Sequence, residues 1–389
     1  MAELIVEFAG IEFQNPFLLA SAPPTMDGEH IIMAAKKGWG GAVTKTIGFE
    51  KIVELRPRLE SLSLKKRTVA IENIELISSK TLETWCKKYI PKIKKETKEF
   101  ILIGSIMGGK EEEWIKAAKE LENAGVDMLE LNFSCPHGMP EKGMGMLIGQ
   151  SEKLTYEITK VVKSSVSIPV IVKLTPNVTD IGSVALSAER GGANALSAIN
   201  TVSSIIGIDI ENEVPLPNVE GYSTQGGLSG TAIRPIALRC IAEIKKTSKL
   251  QISGIGGIDD WRAGIEFILI GAETLQLCTA VMLNGFEIID NLKENLLSYM
   301  ERKGYSNIKE FSGNAFKKLK KHSELICNKK IHAKVIIEKC NGCGKCAISC
   351  KYSGANAISV LKKKARINVK KCSGCGLCKI VCPFDGIAI

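Results

Sequence analysis

Eight of the thirteen cysteines in this 389-residue chain lie within its last fifty residues and repeat one spacing. Each copy reads C-x2-C-x2-C-x3-C, and the second copy begins 32 residues after the first. A [4Fe-4S] cluster needs four thiolates, and in this spacing the fourth cysteine of each run ligates the cluster of the other run. A zinc site normally takes four ligands from wider loops, so the doubled spacing favours iron. We therefore predict two clusters, one bound by Cys340, Cys343, Cys346 and Cys382, and the other by Cys372, Cys375, Cys378 and Cys350.

The first 285 residues alternate short apolar segments with amphipathic helical patterns. This alternation is typical of α/β proteins, and eight such units over about 250 residues indicate a (β/α)8 TIM barrel. The segment Glu3–Glu12 is expected to form a hairpin that closes the bottom of the barrel. The eight candidate strands are Pro16–Ala20, Gly41–Lys45, Phe100–Ile106, Asp127–Asn132, Ile168–Leu174, Ala193–Asn200, Leu250–Gly254 and Glu273–Leu277.

These patterns predict three parts along the chain. The barrel is expected over residues 1–285. A helical and lysine-rich linker is expected over residues 286–331. Residues 332–389 are expected to form a two-cluster ferredoxin-like α+β domain, because short strand-like segments flank the cysteine runs.

The formal net charge of +10 is unevenly distributed along the chain. Residues 301–389 contain 20 Lys and Arg against 5 Asp and Glu, so the first 300 residues have a net charge of −5. The basic end either provides a docking surface for an acidic redox partner or for nucleic acid, or balances the negative charge of the clusters. No apolar run is long enough to span a bilayer, and the N-terminus lacks a signal pattern. We therefore expect no membrane association and a cytoplasmic location.

Lysines, glycines and small polar residues follow several candidate strands, where the active site of such a barrel lies. Lys45 and Lys173 end the second and fifth strands and are expected to hold the anionic edge of a reduced flavin. Gly256-Gly257 and Cys278-Thr279 follow the last two strands, where barrels bind phosphate through backbone N–H groups. A flavin also suits an iron–sulfur module, because flavins accept single electrons and deliver hydride. The sequence therefore predicts FMN in the barrel.

A long loop with several glycines leaves the fourth candidate strand, as expected of a mobile substrate lid. Cys135 lies at its start, where a thiol can give or take a proton over the flavin. His137 is either a proton relay or part of the loop structure. Amide, carboxylate and hydroxyl side chains at other strand ends can pair with the edge of a planar amide ring, namely Asn73, Glu75, Asn132, Asn200 and Thr201.

At these segments the sequence resembles the dihydropyrimidine dehydrogenase family. The resemblance is carried by Thr-Lys-Thr at 44–46, Asn-Ile-Glu-Leu-Ile-Ser at 73–78, the loop at 132–145, Lys-Leu-Thr-Pro-Asn-Val-Thr-Asp-Ile at 173–181, Asn-Thr-Val-Ser at 200–203 and Gly-Gly-Leu-Ser-Gly-Thr-Ala-Ile-Arg-Pro at 226–235. With the eight cysteines it covers essentially the whole chain. It corresponds to the iron–sulfur and FMN subunit of the two-subunit bacterial form, or to the C-terminal part of the single-chain form.

The resemblance implies reduction of the 5,6 double bond of uracil or thymine, or the reverse reaction. Electrons would pass through the clusters to FMN, which delivers hydride to C6 while Cys135 donates a proton to C5. The base site implied by the family comprises Asn73, Glu75, Asn132, Phe133, Ser134, Asn200 and Thr201. The implied FMN contacts are Ser21, Lys45, Thr46, Lys173, Gly230, Ile255, Gly256, Gly257, Cys278 and Thr279.

The sequence has no G-x-G-x-x-G fingerprint of a dinucleotide-binding unit. The family's long form takes electrons from NAD(P)H through FAD, so the resemblance implies a separate FAD- and NAD(P)H-binding flavoprotein subunit in a hetero-oligomer. That partner is expected to dock near the basic cysteine-rich end. The sequence leaves open whether this chain also forms a dimer with itself. Nucleic acid is not expected as a partner.

Three alternative functions remain open at this point. A dihydroorotate dehydrogenase shares the barrel, FMN and loop cysteine, but Asn73-Ile-Glu-Leu-Ile replaces the segment that family uses for orotate. A tRNA dihydrouridine synthase suits the basic tail, but here that tail accompanies a cysteine repeat rather than an RNA-binding domain. An electron-transfer flavoprotein without pyrimidine activity is disfavoured by the complete loop around Cys135.

Overall fold

The computed structural model describes residues 2–49, 52–133, 146–326 and 328–389. The chain divides into two compact units, one ending at Lys318 and the other comprising Leu319–Ile389. Within the described ranges, no helix is long and apolar enough to cross a membrane.

The first unit contains short strands that alternate with helices along the chain. In chain order the strands are β1 Val6–Phe8, β2 Ile11–Phe13, β3 Phe17–Leu19, β4 Gly41–Val43, β5 Leu59–Leu64, β6 Arg67–Asn73, β7 Ile101–Ile106, β8 Met128–Asn132, β9 Val170–Leu174, β10 Ala195–Ala198, β11 Val202–Ser204, β12 Ile208–Asp209, β13 Val214–Pro215, β14 Gly226–Ser229, β15 Gln251–Ile255 and β16 Thr274–Leu277.

Eight of these strands pair in parallel and close into a barrel in the order β10-β15-β16-β3-β4-β7-β8-β9. They are the eight strands expected from the sequence, so the prediction of a TIM barrel is confirmed. The strands are short and almost entirely buried, because helices cover their outer face and side chains fill the interior.

The helices of the first unit follow the barrel strands. They are α1 Gly28–Lys36, α2 Leu82–Thr84, α3 Ile90–Glu96, α4 Glu111–Ala124, α5 Met146–Gly149, α6 Glu152–Ser165, α7 Ile181–Arg190, α8 Arg234–Thr247, α9 Trp261–Ile270, α10 Thr279–Asn284 and α11 Ile288–Lys303. A π-helical turn, Trp85–Tyr89, joins α2 to α3.

Helix α4 illustrates how the sequence sets these elements. Three glutamates occupy its first turn, where negative charge favours the helix dipole, and Gly125 ends it in the left-handed conformation. Trp114, Ala117, Ala118 and Leu121 recur on one face and are buried against the barrel.

Two elements close the ends of the barrel. The hairpin expected at the N-terminus is present as β1 and β2, with Phe8 and Phe13 fully buried. The Oε1 atom of Gln251, at the amino end of β15, accepts a hydrogen bond of 2.7 Å from the backbone N–H of Ala9, so the hairpin covers the bottom. At the other end, β5, β6, β11 and β14 form an antiparallel sheet in the order β11-β14-β6-β5.

The boundary between the units differs from the expected linker over 286–331. Helix α11 presents Ile289, Leu292, Leu296 and Met300 as a buried stripe in the core of the barrel unit. An apolar stripe on a helix is stable only where another element covers it, and here α9 lies against it. The first unit therefore continues through this helix to Lys318.

The second unit is small and built around the cysteine runs. Its strands are β17 Lys334–Val335, β18 Ile358–Leu361, β19 Lys364–Ile367 and β20 Ile387–Ala388, and its helices are α12 Lys345–Tyr352 and α13 Leu377–Ile380. Strand β17 pairs with β20, and β18 pairs with β19. Its buried core is limited to a few residues, and two of them, Cys346 and Cys378, are cysteines. A unit with so little apolar core is of the kind that metal sites stabilise.

Candidate active site and cysteine cavities

A cavity of about 540 Å³ lies at the carboxyl ends of the barrel strands. Its walls come from the residues that follow β3, β4, β10 and β16 and from the ends of β8, β9 and β15, and strand β6 adds a further side. Most site residues expected from the sequence line this cavity. They are Ser21, Lys45, Thr46, Asn73, Glu75, Asn132, Lys173, Asn200, Thr201, Gly230, Ile255, Gly256, Gly257, Cys278 and Thr279.

Phe133 does not line the cavity, although the family resemblance implies a contact with the base. Its side chain is fully buried, and its ring packs edge-on against Trp114 of α4 at 5.3 Å between ring centroids. Ser134, Cys135 and His137 lie outside the described residues.

Lys45 forms an ion pair with Glu75 on one wall of the cavity. The Nζ atom of Lys45 donates a short hydrogen bond to Oε1 of Glu75, and both side chains are about nine-tenths buried. The Nε atom of Arg58 lies 3.5 Å from the same oxygen. Burial strengthens such charge interactions, so this carboxylate holds Lys45 firmly in one position.

Lys173 forms a second ion pair deeper in the barrel. Its Nζ atom lies 3.4 Å from Oε1 of Glu130, and both side chains are almost inaccessible to solvent. The other carboxylate oxygen of Glu130 accepts hydrogen bonds from Ser197 Oγ at 2.8 Å and from Gln276 Nε2 at 3.1 Å. Lys173 and Gln276 line the cavity, whereas Glu130 lies beneath it.

Thr46 connects three side chains near the cavity. Its Oγ1 atom accepts a hydrogen bond of 2.8 Å from Asn132 Nδ2. It also shares hydrogen bonds with Ser21 Oγ at 3.0 Å and with Ser105 Oγ at 2.9 Å. This contact fixes the amide of Asn132, whose orientation then decides which groups it presents to a ligand.

The other amide side chains are also anchored by neighbours. Asn200 Oδ1 accepts a hydrogen bond of 2.7 Å from the backbone N–H of Thr201, and its Nδ2 lies 3.5 Å from Oδ1 of Asn132. Asn73 Nδ2 donates to the carbonyl of Gly227 on β14 at 3.2 Å. The cavity therefore presents three amides that can pair with alternating donors and acceptors of a planar ring.

Gly256 and Gly257 bring the backbone close to neighbouring elements at the end of β15. Gly257 has a φ of +77°, and a Cβ there would lie 2.7 Å from the carbonyl oxygen of Gly230. A Cβ on Gly256 would lie 2.8 Å from Cβ of Ala237. After the next strand, β16, Thr279 at the start of α10 donates a hydrogen bond from Oγ1 to Ser229 Oγ at 2.8 Å. Only glycine allows this approach, which leaves backbone and hydroxyl groups to face a phosphate.

The donor set of this cavity fits FMN. Lys45 and Lys173 supply cations, and the glycine backbone supplies a surface free of side chains. Gln276, which is buried, has an Oε1 atom without a hydrogen-bond partner among the described residues. Buried acceptors of this kind are normally satisfied, so this atom suits a donor from a bound ring.

Cys278 is a poor candidate for proton transfer. Burial raises the pKa of its thiol to about 12, with the nearby Lys173 only partly opposing this effect. Its Sγ atom contacts Met282 Sδ at 3.7 Å. The thiol therefore acts as part of the cavity wall.

Sequence reasoning missed several residues of this site. The residues that were not expected are Glu130, Gln276, Ser229, Arg67 and Asp259. The last two form an ion pair, with 2.5 Å between a guanidinium nitrogen of Arg67 and Oδ2 of Asp259. Glu130 carries a readable signal, because it is a charged residue in an otherwise apolar strand, two positions before Asn132 and on the same face.

The cysteines of the second unit surround two small cavities. Cys340, Cys343, Cys346 and Cys382 line one, and Cys350, Cys372, Cys375 and Cys378 line the other. These sets are the two ligand sets expected from the spacing. Within the described residues, no three His, Cys, Asp or Glu side chains converge on a single-ion site. Four thiols spread around a cavity fit a cluster rather than one zinc ion.

Backbone N–H groups point at several of these sulfurs. The N–H of Ala357 donates to Cys350 Sγ at 3.2 Å, and that of Gly386 donates to Cys382 Sγ at 3.2 Å. The N–H of Ala365 donates to Cys340 Sγ at 3.4 Å. Hydrogen bonds to ligand sulfur are one means by which proteins set cluster potentials.

Comparisons with known proteins match both units. The dihydroorotate dehydrogenase family model matches residues 3–300, and a 4Fe-4S dicluster domain model matches residues 333–389. A subunit of the NAD-dependent dihydropyrimidine dehydrogenase of Escherichia coli (strain K12) is 39% identical over 366 residues, which cover 93% of this chain and 88% of that protein. The chloroplastic dihydropyrimidine dehydrogenase (NADP(+)) of Arabidopsis thaliana is 38% identical over 347 residues, covering 84% and 80%. The catalytic subunit of dihydroorotate dehydrogenase B (NAD(+)) of Pyrococcus horikoshii is 40% identical over 314 residues, covering 81% and 98%.

Proposed function

The chain belongs to the dihydropyrimidine dehydrogenase family, and from this membership we propose that it reduces the 5,6 double bond of a neutral pyrimidine base, or catalyses the reverse reaction. The expected substrates are uracil and thymine. Reduction adds two electrons and two protons to the ring. The reverse reaction removes the same electrons and protons.

The charge balance of the barrel cavity is the observation that carries this proposal. Each Lys or Arg among the described residues that line the cavity has a carboxylate within salt-bridge distance. The pairs are Lys45–Glu75, Lys173–Glu130 and Arg67–Asp259. Described lysines and arginines on these walls are thus engaged internally rather than available to a substrate carboxylate. This balance favours a neutral base over an anionic pyrimidine such as orotate.

FMN in this cavity supplies hydride transfer and the exchange between one-electron and two-electron steps. We assign its charged ring edge to Lys45 and Lys173 and its phosphate to the backbone around Gly230, Gly256 and Gly257. Ser21, Thr46, Ile255, Cys278 and Thr279 complete the proposed contacts. The fit of the donor set described above supports this assignment.

The base is proposed to bind the anchored amides of Asn73, Asn132 and Asn200, together with Glu75 and Thr201. Amide groups both donate and accept, so they pair with the imide edge of uracil. Phe133 supports the site from behind, since its ring fills the core against Trp114. Ser134, which lies outside the described residues, remains a proposed contact.

Cys135 is proposed to hold the proton at its Sγ atom that is added to C5 of the base, and to accept it in the reverse direction. The proposal rests on its place in the loop after Asn132 and on the family resemblance. A positioned acid of this kind contributes roughly 10²- to 10⁴-fold to a rate.

The second unit holds two [4Fe-4S] clusters, which supply one-electron transfer. We propose that a separate FAD- and NAD(P)H-binding flavoprotein subunit delivers electrons to this unit in a hetero-oligomer. The name of the Escherichia coli relative, a subunit of an NAD-dependent enzyme, supports a partner. The need for eight free thiols supports a reducing compartment, and we propose the cytoplasm.

Dihydroorotate dehydrogenase activity is the second candidate function. It is favoured by the match of the catalytic subunit from Pyrococcus horikoshii over nearly its whole length. The two candidates differ in the charge of the substrate, because orotate carries a carboxylate and uracil does not.

Product analysis tests the proposed function. The purified chain with FMN and clusters is reduced chemically under anaerobic conditions and incubated with uracil. We expect 5,6-dihydrouracil, detected by chromatography and by loss of the uracil absorbance. Cys135→Ala should lower its formation at least about 100-fold, whereas the matched control Cys86→Ala should not. Absence of dihydrouracil from the wild-type reaction would contradict the proposal.

A further inference from the structure

A layer of polar side chains crosses the barrel interior beneath the cavity. Gln276 Nε2 donates to Ser253 Oγ at 3.2 Å and to Glu130 Oε2 at 3.1 Å. Thr274 Oγ1 donates to Ser253 Oγ at 2.8 Å, and Ser197 Oγ donates to Glu130 Oε2 at 2.8 Å. All these side chains are buried, and they come from β8, β10, β15 and β16.

Such a layer is unusual in a barrel of this kind. Branched apolar residues normally fill the interior, because buried polar groups are unfavourable unless each finds a partner. A buried carboxylate is the most unfavourable member of the layer, and Glu130 is completely inaccessible to solvent. The network around Glu130 therefore needs an explanation beyond packing.

The geometry of Glu130 points to Lys173. Hydrogen bonds from Ser197 and Gln276 hold one carboxylate oxygen, so the orientation of the group is fixed. The other oxygen has no hydrogen-bond partner in the described part of the chain and lies 3.4 Å from Lys173 Nζ. In the barrel register Lys173 pairs with Asn132, which places Glu130 one step lower on the same inward face of β8.

We propose that Glu130 is a positioning residue, which holds the ammonium of Lys173 on the floor of the cavity and so determines the charge offered to the flavin ring. The inference rests on the proposed function, because it takes FMN and the role of Lys173 from there. Glu130 itself does not line the cavity and is not proposed to touch FMN or substrate.

The other charged and titratable groups near Lys173 cannot replace Glu130. The carboxylate of Glu75 is engaged by Lys45, and Arg58 lies beside it. Cys278 is protonated at ordinary pH, because burial raises the pKa of its thiol to about 12. Without Glu130, the ammonium of Lys173 would be buried with no anion beside it. That arrangement is so unfavourable that the side chain would lose its charge or its position.

Sulfite binding measures this effect without turnover. Sulfite adds reversibly to an oxidised flavin and leaves negative charge on the ring, so its Kd reports on a cation beside that ring. The experiment titrates the full FMN-loaded chain with sulfite and follows the bleaching of the flavin band. The variants are Glu130→Gln, Lys173→Met and the double variant. Ser197→Ala is the matched control, because it removes a hydrogen bond to Glu130 and leaves its charge.

We expect Lys173→Met to raise the sulfite Kd at least about tenfold, equivalent to the loss of about 1.4 kcal/mol of charge stabilisation. Glu130→Gln should raise it by a similar factor, and Ser197→Ala by less than about threefold. In the double variant the Kd should match that of Lys173→Met, because a residue that acts only through Lys173 adds nothing once Lys173 is gone.

Three results would overturn the inference. A sulfite Kd in Glu130→Gln that is unchanged or lower would show that Lys173 does not depend on Glu130. If the increases in sulfite Kd from the two single substitutions multiply in the double variant, Glu130 affects the flavin independently of Lys173. An unchanged sulfite Kd in Lys173→Met would show that the ammonium of Lys173 does not lie beside the flavin ring. That result would contradict the proposed FMN contacts as well. If Glu130→Gln does not fold, Glu130→Asp keeps the charge but withdraws it by one methylene, and we expect a Kd between those of the wild type and Lys173→Met.

Discussion

Cys350 and Cys382 each line the cavity that is otherwise formed by the cysteines of the other run. Cys350 belongs to the first run but lines the cavity of the second, and Cys382 belongs to the second run but lines the cavity of the first. Each cluster would therefore be held by both halves of the repeat. The clusters and the short elements between them then stabilise the unit together.

Paired cysteine substitutions test this exchange. Cys350→Ser with Cys375→Ser removes two ligands from one cavity, so about four of about eight irons should remain per chain. Cys343→Ser with Cys350→Ser removes one ligand from each cavity, so both clusters should be impaired. Iron analysis and electron paramagnetic resonance of the reduced protein measure the outcome. The opposite pattern, with four irons in the second variant and none in the first, would show that each run binds its own cluster.

A substitution at Gly257 tests the proposed phosphate site. A Cβ there would meet the carbonyl oxygen of Gly230 at 2.7 Å and Cβ of Arg234 at 2.9 Å. We expect Gly257→Ala to lower the FMN content of the purified protein severalfold. The matched control is Gly313→Ala, since Gly313 has a similar φ of +71° but no neighbour within 4 Å of a Cβ. Both variants should carry a strain of about 1 kcal/mol or more. Equal FMN content in the two variants would contradict the assignment.

Glu75 is expected to set the charge preference of the site. Glu75→Gln removes the anion beside Lys45, whose ammonium is then available to a ligand carboxylate. We expect the Kd of orotate, measured from the perturbation of the flavin spectrum, to fall roughly tenfold, and the Kd of uracil to rise. Glu72→Gln serves as the control, because Glu72 is a buried carboxylate on β6, three residues before Glu75, that does not line the cavity. If the ratio of the orotate Kd to the uracil Kd is unchanged in Glu75→Gln, Glu75 does not contribute to substrate selection.

The pH dependence of turnover should not involve Cys278. Its pKa is raised to about 12 by burial, so the thiol stays protonated as the pH rises from 6 to 9. At pH 9 only about one thiol in a thousand would be ionised. The profile of kcat/KM against pH in Cys278→Ser should therefore run parallel to that of the wild type. Loss of an ionisation from the profile of this variant would contradict the structural role of Cys278.

Local patterns made much of the fold predictable. The eight barrel strands are short apolar runs between amphipathic helices, and the spacing alone predicts which four cysteines line each small cavity. The four-stranded sheet over the cavity was not foreseen, because it pairs β6 with β14, about 150 residues further along the chain. The hydrogen bond from Asn73 to Gly227 depends on that pairing. Long-range pairing of this kind leaves no local signal in one sequence.

Strand alternation explains two differences at the site. Side chains alternate along β8, so Glu130 and Asn132 point into the barrel while the ring of Phe133 points towards Trp114. The family resemblance implies Phe133 as a base contact, but the alternation turns its ring away from the cavity, and the same alternation places Glu130 below the cavity. The apolar stripe of α11 was also readable, and it explains why the barrel unit extends beyond residue 285.

Reoxidation of the reduced protein in a single turnover tests the central claim most directly. The chain with FMN and clusters is reduced anaerobically, freed of excess reductant and mixed with uracil, thymine or orotate while the flavin absorbance is followed. The account predicts that uracil or thymine restores the oxidised spectrum and that orotate does so at least about tenfold more slowly. Faster reoxidation by orotate than by uracil and thymine would contradict it and would identify a dihydroorotate dehydrogenase.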